Sequence, residues 1–449
     1  MRFLFTMIIT AITASPAIAQ KPVRLITLDP GHFHAALVQK SMYPQVDETV
    51  HVYAKKGNDL DLHLAKIKGY NTDVKAPTGW KEVVYEGDDF FDRMLREKKG
   101  NVVVLAGNNQ LKTDYILKSV QSGLNVFADK PMVIDQKGFV KLKQAFETAK
   151  RNKVLLYDIM TERYEITTIL QRAFSMEPAL FGALTKGTAA EPAVTKESVH
   201  HFYKYVSGSV LTRPAWFLDV EQEGEGIVDV TTHLVDLVQW ECFPGVTLDY
   251  TKDIVLTSAK HWPTVISRNQ FAELTKVQQV PAYLKKYSDA KDDISVMCNG
   301  EINYRIKGVH AKVSVIWNYK APDGTGDTHY SIMRGTKANL VIRQGAEQQY
   351  KPTLYIEPLV HNAAYDNDVQ KTVEKIAQQY KGVSLKKNDK GWEVIIPDAF
   401  KEGHESHFAR VTEKYLEYLS KNNMPSWEVP NMLAKYYTTT QAQKLANKK

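Results

Sequence analysis

The feature that most constrains this fold is an alternation of apolar strand-like runs and helical segments near the start of the chain. Residues 23–28 read as a buried strand, 34–42 as a helix, 49–53 as a second strand and 60–67 as a second helix. Residues 71–80 carry turn formers and read as an excursion. The alternation then resumes with a helix at 88–97, a buried strand at 101–106, a helix at 113–122 stopped by Gly123, a strand at 125–128, a helix at 138–151 and a strand at 154–157. Strands separated by helices imply right-handed crossovers and a parallel sheet covered on both faces. Sheets of this kind take ligands beyond the carboxyl ends of their strands.

The pattern changes near Tyr164. Strand-like runs at 254–257, 294–297, 311–317, 329–333 and 339–342 lack helical crossovers between the later members, which predicts a mostly antiparallel sheet. Helices are expected at 166–175, 399–420 and 432–446, with a helical insertion over 268–287. A chain of 449 residues exceeds what one core holds. The fold class expected is therefore α/β: a parallel-sheet domain over 20–160, followed by an α+β domain over 161–449 with an open sheet.

Residues 1–19 read as a secretory signal. Met1-Arg2 precedes an apolar run over 3–14, and Ala17-Ile18-Ala19 supplies the small residues of a cleavage site before Gln20. The mature protein is expected to be exported, periplasmic in a two-membrane host, with no membrane attachment after cleavage. Cleavage removes Arg2 and no acid, so the formal charge falls from +7 to +6. The basic residues occur as scattered pairs such as Lys55-Lys56 and Lys386-Lys387, which excludes a nucleic-acid footprint. Two cysteines, Cys242 and Cys298, leave a disulfide open. No metal site is expected.

Three segments carry candidate chemistry. The run from Glu225 to Asp236 contains Asp229, His233 and Asp236 at i, i+4 and i+7, which share one face of a helix, with Gly224 and Gly226 marking a turn before it. A carboxylate beside an imidazole can set its tautomer for proton transfer; the same residues also suit a solvated face or a satisfied core network. After the strand at 125–128 comes Asp129-Lys130-Pro131, which sets a lysine amine at the carboxyl edge of the sheet, though most lysines before a turn are surface residues. The first strand ends in Asp29-Pro30-Gly31-His32-Phe33-His34, where a parallel sheet commonly cradles a dinucleotide. Only the middle glycine of a G-x-G-x-x-G turn is present, and the second strand ends in Lys55-Lys56 where an acid would hold a ribose.

Taken together, these segments resemble the Gfo/Idh/MocA family, the glucose–fructose oxidoreductase and inositol dehydrogenase group. Asp129-Lys130-Pro131 resembles its E/D-K-P motif. Trp216-Phe217 and the stretch from Gly224 through Asp229, His233 and Asp236 resemble its glycine segment followed by D-x-x-x-H-x-x-D. Ala106-Gly107-Asn108-Asn109 resembles its nicotinamide-side loop. The resemblance implies a Rossmann domain binding NAD or NADP, a second domain that often oligomerises, and a small carbohydrate substrate. It makes Lys130, Asp229 and His233 catalytic, and puts Gly31, His32, Phe33, Asn108, Asn109 and Lys130 beside the cofactor. Arg163, Tyr164, Trp216 and Asp236 fall on the substrate side.

Lys130 would stabilise charge on the reacting oxygen, Asp229 would orient or relay, and His233 would move the proton. Free nicotinamide cofactor is scarce outside the cytoplasm, so export favours a tightly held cofactor. Three readings follow: net oxidation or reduction of a sugar, a glycosidase- or epimerase-like reaction through transient oxidation, and a non-catalytic carbohydrate-binding protein on the same scaffold.

Overall fold

The computed structural model describes residues 22–206, 209–322 and 325–448. The signal segment expected at 1–19 lies outside the described residues. The first domain contains β1 (Leu25–Leu28), α1 (His34–Leu37), β2 (Thr49–Ala54), α2 (Asn58–Asn71), β3 (Lys81–Glu86), α3 (Phe90–Glu97), β4 (Val102–Leu105), α4 (Lys112–Gln121), β5 (Asn125–Asp129), α5 (Gln136–Asn152) and β6 (Leu156–Ile159). All six strands pair in parallel in the order β3-β2-β1-β4-β5-β6. The direction of strand addition reverses between β1 and β4, which opens a crevice at their carboxyl ends. Every residue of β1 and β4 is buried, as continuous apolar runs such as Val102-Val103-Val104-Leu105 require when helices cover both faces.

Two local expectations fail for identifiable reasons. Strand β3 falls just after the excursion at 71–80 and alternates exposed with half-buried residues. It lies at the sheet edge and lacks the apolar run that marks the inner strands. The helix expected over 34–42 is regular only to Leu37; Gln39 and Lys40 then donate to Ala36 and Leu37 in tighter i→i+3 turns.

The second part begins with α6 (Ile166–Ser175), β7 (Val194–Tyr203) and α7 (Thr231–Cys242). Strand β7 lies inside a nine-stranded sheet, parallel to Val309–Lys320 and antiparallel to Thr328–Arg334. The other neighbouring pairs of that sheet are antiparallel. The sheet is therefore mostly antiparallel, as expected.

The last two helices return to the first domain. His404–Lys421 and Glu428–Ala446 place Phe408, Tyr415, Met432 and Tyr436 in the core of the parallel sheet. Phe127 of β5 stacks on Tyr415 with ring centroids 4.4 Å apart. Each such side chain contributes roughly 1.5–3 kcal/mol by leaving water. Ala434 and Ala442, from the same final helix as Tyr436, lie in the core of the nine-stranded sheet. No helix among the described residues is long and apolar enough to cross a membrane. Cys242 is half-buried, Cys298 is buried, and both are free thiols.

Candidate active site

The carboxyl ends of β1 and β5, the start of α7 and the inner end of β7 surround one cavity of about 900 Å³. Its wall includes His32, His34, Lys130, Glu162, Asp229 and His233. Lys130 arrives from β5 through a cis peptide bond to Pro131. His233 arrives from the first turn of α7 itself, and Asp229 from the turn that leads into it. That turn depends on Gly226, because a Cβ there would lie 1.6 Å from the Cys298 carbonyl oxygen. Gly226 N–H donates to the Met297 carbonyl, which pins the turn to the nine-stranded sheet.

Lys130 and His233, 103 positions apart in the sequence, therefore meet at one cavity. Lys130 Nζ donates to Asp229 Oδ1 at 2.5 Å. Burial opposes the charge on this amine, but Asp229 and Asp129 outweigh it and hold its pKa above the ordinary lysine value. Burial and then the Lys130 charge push the His233 pKa well below the usual imidazole range, so the ring is neutral at neutral pH. Its Nδ1 is buried and has no hydrogen-bond partner.

The structure corrects the expected shared helical face. α7 starts at Thr231, so Asp229 precedes the helix; it turns to Lys130. Asp236 points away and accepts from Arg163 Nε at 2.6 Å, Arg163 Nη2 at 2.7 Å and Lys435 Nζ at 2.8 Å. No carboxylate holds the His233 Nδ1. The orienting carboxylate belongs to another histidine: Asp129 Oδ2 lies 2.8 Å from His34 Nδ1.

The remaining expected residues divide. His32 and Phe33 line the cavity. Arg163 and Asp236, expected at the substrate, lie in a buried ion network outside the cavity wall. Arg163 Nη1 also donates to Glu428, and Lys435 also pairs with Asp158 at 2.7 Å. Every charged end of this group is matched by a protein partner, which leaves none for a substrate. Tyr164 packs against the core of the parallel sheet. Trp216 donates from Nε1 to Asp59 at 2.7 Å and lies against Gly31, where a Cβ would come within 2.9 Å of its ring. Asn108 donates to the Gln222 side chain, and Asn109 donates to the Glu223 carbonyl and carboxylate.

Several cavity residues escape a reading of the sequence. Asp327 gathers His200 Nδ1 at 3.2 Å, His201 Nδ1 at 3.1 Å and Lys204 Nζ at 2.9 Å on the cavity wall. Despite burial, those partners hold its carboxyl far below the ordinary range. Glu162, half-buried beside the cavity, is pushed up to about 7, first by burial and then by Glu165. His200-His201 is a visible pair in the sequence, but only the pairing of β7 with Thr328–Arg334 brings Asp327 beside it.

Comparison with known proteins decides the family. Residues 48–157 match the family described as "Oxidoreductase family, NAD-binding Rossmann fold", and residues 170–447 match the "Putative oxidoreductase C terminal domain". The chain belongs to the Gfo/Idh/MocA oxidoreductase family. It is an NAD(P)-dependent oxidoreductase by that membership. A solved structure described as a putative oxidoreductase from Parabacteroides merdae shares 56% identity with a TM-score of 0.93, covering 95% of this chain and 98% of that one. More distant solved structures share the fold. The 3-ketoreductase KijD10 of Actinomadura kijaniata, bound to NADP, has 13% identity and a TM-score of 0.57, covering 94% and 98% of the two chains. A putative myo-inositol dehydrogenase of Sinorhizobium meliloti has 13% identity and a TM-score of 0.55, covering 94% and 97%. No curated protein matches the chain.

The two ends of the family's cofactor crevice differ in how they suit a dinucleotide. At the reactive end, Lys130, Asp229 and His233 meet at a polar cavity large enough for a ring and a sugar. At the phosphate end, two backbone donors of the turn already have protein acceptors. Gly31 N–H donates to Asp29 at 2.9 Å and His32 N–H to Ala106 at 3.1 Å. Only about 30 Å³ remains between this turn and the segment over 211–217. Trp216, packed on Gly31, narrows the phosphate end.

Proposed function

We propose that this protein is an exported oxidoreductase that oxidises a hydroxyl, or reduces the corresponding ketone, of a sugar or glycoside with NAD or NADP. The observation that carries this reading is the meeting of a charged Lys130 and a neutral His233 at one polar cavity beyond the carboxyl edge of the parallel sheet. Related folds described as a 3-ketoreductase and a myo-inositol dehydrogenase act on compounds of this class, which supports the choice of substrate. The expected signal at 1–19 supports export.

Within the cavity, the Lys130 ammonium donates to the substrate oxygen and stabilises its negative charge as the alcohol is deprotonated. Asp229 fixes that ammonium in place through its 2.5 Å contact. The neutral His233 presents a lone pair for the hydroxyl proton. The nicotinamide, when bound, accepts or returns the hydride. The start of the helix at His404–Lys421, with Arg213 and Phe217, supplies part of the cavity wall.

A second reading has its own observation. The segment over 211–217 packs Trp216 on Gly31 at the phosphate end of the crevice, and this contact would slow the exchange of a bound cofactor. Slow exchange suits a reaction in which oxidation is transient and each turnover restores the cofactor, as in an epimerase- or glycosidase-like enzyme.

The test is a glycoside screen of the purified protein with and without added NAD(P), together with release of bound cofactor by denaturation. Lys130→Ala and His233→Ala should each lower kcat by at least about 100-fold with an unchanged circular dichroism spectrum. Near-full activity in either variant refutes the assigned roles. No bound cofactor and no measurable NAD(P) affinity refutes the redox reading and leaves a carbohydrate-binding scaffold. Turnover without accumulation of reduced cofactor selects the transient reading.

A further inference from the structure

The turn after β1 and the end of β5 bring three potential metal ligands together. The donor atoms of His32, His34 and Asp129 all lie within 4.8 Å of one another. His34 Nδ1 is 2.8 Å from Asp129 Oδ2, and His32 Nδ1 is 3.7 Å from the same oxygen. The two imidazoles meet edge to face with centroids 4.1 Å apart. His32 and His34 both line the 900 Å³ cavity, and Asp129 is the residue next to Lys130.

A plain hydrogen bond explains only part of this arrangement. It accounts for His34 and Asp129; His32 Nδ1 lies 3.7 Å from the same carboxylate oxygen and accepts the His34 backbone N–H at a long 3.4 Å. Metal–ligand bonds of ~2.0–2.1 Å place tetrahedral ligand atoms ~3.3 Å apart. The two histidine–carboxylate separations, 2.8 and 3.7 Å, bracket that value, and all three donors lie within 4.8 Å of one another. We propose that His32, His34 and Asp129 form a site for one divalent transition-metal ion. Two nitrogen donors and one carboxylate favour zinc, cobalt, iron or manganese over magnesium and calcium. Three protein ligands leave at least one coordination position, and it faces the cavity, where a hydroxyl or carbonyl oxygen of a polyol completes the shell.

The site does not depend on the redox reading of the cavity. Its lysine neighbour is already neutralised: Lys130 pairs with Asp229. The Asp129 carboxylate makes its 2.8 Å contact with His34, a ligand of the proposed site, while its backbone carbonyl accepts from Lys112 at 3.3 Å.

The test uses the full chain purified without an affinity tag or chelator. Elemental analysis gives the metal content as isolated. Chelator-treated protein is then titrated with Co²⁺, whose visible absorption reports a site of low coordination number. The expected results are one Co²⁺ per chain, a visible band, and displacement of that band by Zn²⁺. His32→Ala, at a partly exposed position, should weaken Co²⁺ binding on the order of 100-fold, and His32→Ala/His34→Ala should abolish the band. Absence of a band and of binding in the wild-type chain overturns the proposal, as does unchanged binding in His32→Ala. If the double variant does not fold, the wild-type titration and His32→Ala still decide. None of these readouts needs NAD(P) or turnover, so failure here leaves the proposed reaction untouched.

Discussion

Asp236→Asn separates a structural from a substrate role for the network around Arg163. In the folded protein, one carboxylate accepts two bonds from Arg163 and one from Lys435, all between 2.6 and 2.8 Å and all buried. Neutralising it leaves two buried cations with one partner each, Glu428 for Arg163 and Asp158 for Lys435. Removing one member of a buried ion pair costs roughly 3–5 kcal/mol. Those remaining partners put the expected loss at the lower end, about 3 kcal/mol. Burial raises the Asp236 pKa, but Arg163 and Lys435 overcome this and hold it far below the ordinary aspartate value.

A depressed folded-state pKa contributes stability that is fully present above the unfolded value of ~3.9 and is lost as pH falls towards the folded one. The difference between wild type and variant should therefore be flat from about pH 5 to 9 and shrink only in acid. Urea unfolding followed by tryptophan fluorescence measures it. Arg163→Met/Asp236→Leu/Glu428→Gln should recover part of the loss, because it removes the carboxylate that Arg163 would otherwise leave buried and unpaired. An unchanged unfolding midpoint in Asp236→Asn, with a raised KM for a turned-over glycoside, would refute the structural role and restore the substrate contact expected from the sequence.

Two further outcomes test the parallel-sheet domain. Burial pushes the Glu82 carboxyl up to about 7, and its Oε2 has no partner while Oε1 accepts from Gln39 at 2.7 Å. An acid with a raised folded-state pKa weakens the fold as pH rises from its unfolded value of ~4.3 through about 7. Glu82→Gln should then raise the urea midpoint at pH 8 and leave it unchanged at pH 4; an equal effect at both pH values contradicts this. Gly31→Ala should cost about 1–3 kcal/mol, because its Cβ meets the Trp216 ring and Asp59, both at 2.9 Å. In a Trp216→Ala background the same change should cost less, and Trp216→Ala alone should speed NAD(P) association in a stopped-flow titration. Additive stability losses and an unchanged association rate would show that Trp216 does not guard the turn.

The architecture was legible because the inner strands of the first domain are mostly apolar, with β4 an unbroken run, and helices separate them, one stopped by Gly123. The same rule hid β3, whose edge position leaves Lys81, Val83 and Glu86 facing outward or half-covered and removes the run. Strand β7 stayed unread because it mixes Lys196, Glu197, His200 and His201 into a central strand. Lys196 is fully buried and survives there by pairing with Glu241 at 2.8 Å and donating to Ser331 at 2.8 Å, partners 45 and 135 positions away. Polar residues in a core are permitted by partners, and partners are a property of the fold.

The site shows the same division. Lys130 and His233 were legible because motif and topology both pointed to the cavity. Asp236 was misplaced because helical periodicity fixes which residues share a face without fixing what that face meets. Its i+7 relation to Asp229 is real, yet α7 starts after Asp229, and Arg163 and Lys435 wait on the other side. The turn after β1 carries the same lesson further. Against a glycine-rich pattern, His32 and His34 read as substitutions that spoil a phosphate cradle. In the fold they converge on Asp129, and the Gly31 and His32 backbone donors bind Asp29 and Ala106. The departures from the dinucleotide pattern are thus consistent with one another: the turn that gave up its glycines acquired a donor set suited to a cation at the wall of the same cavity.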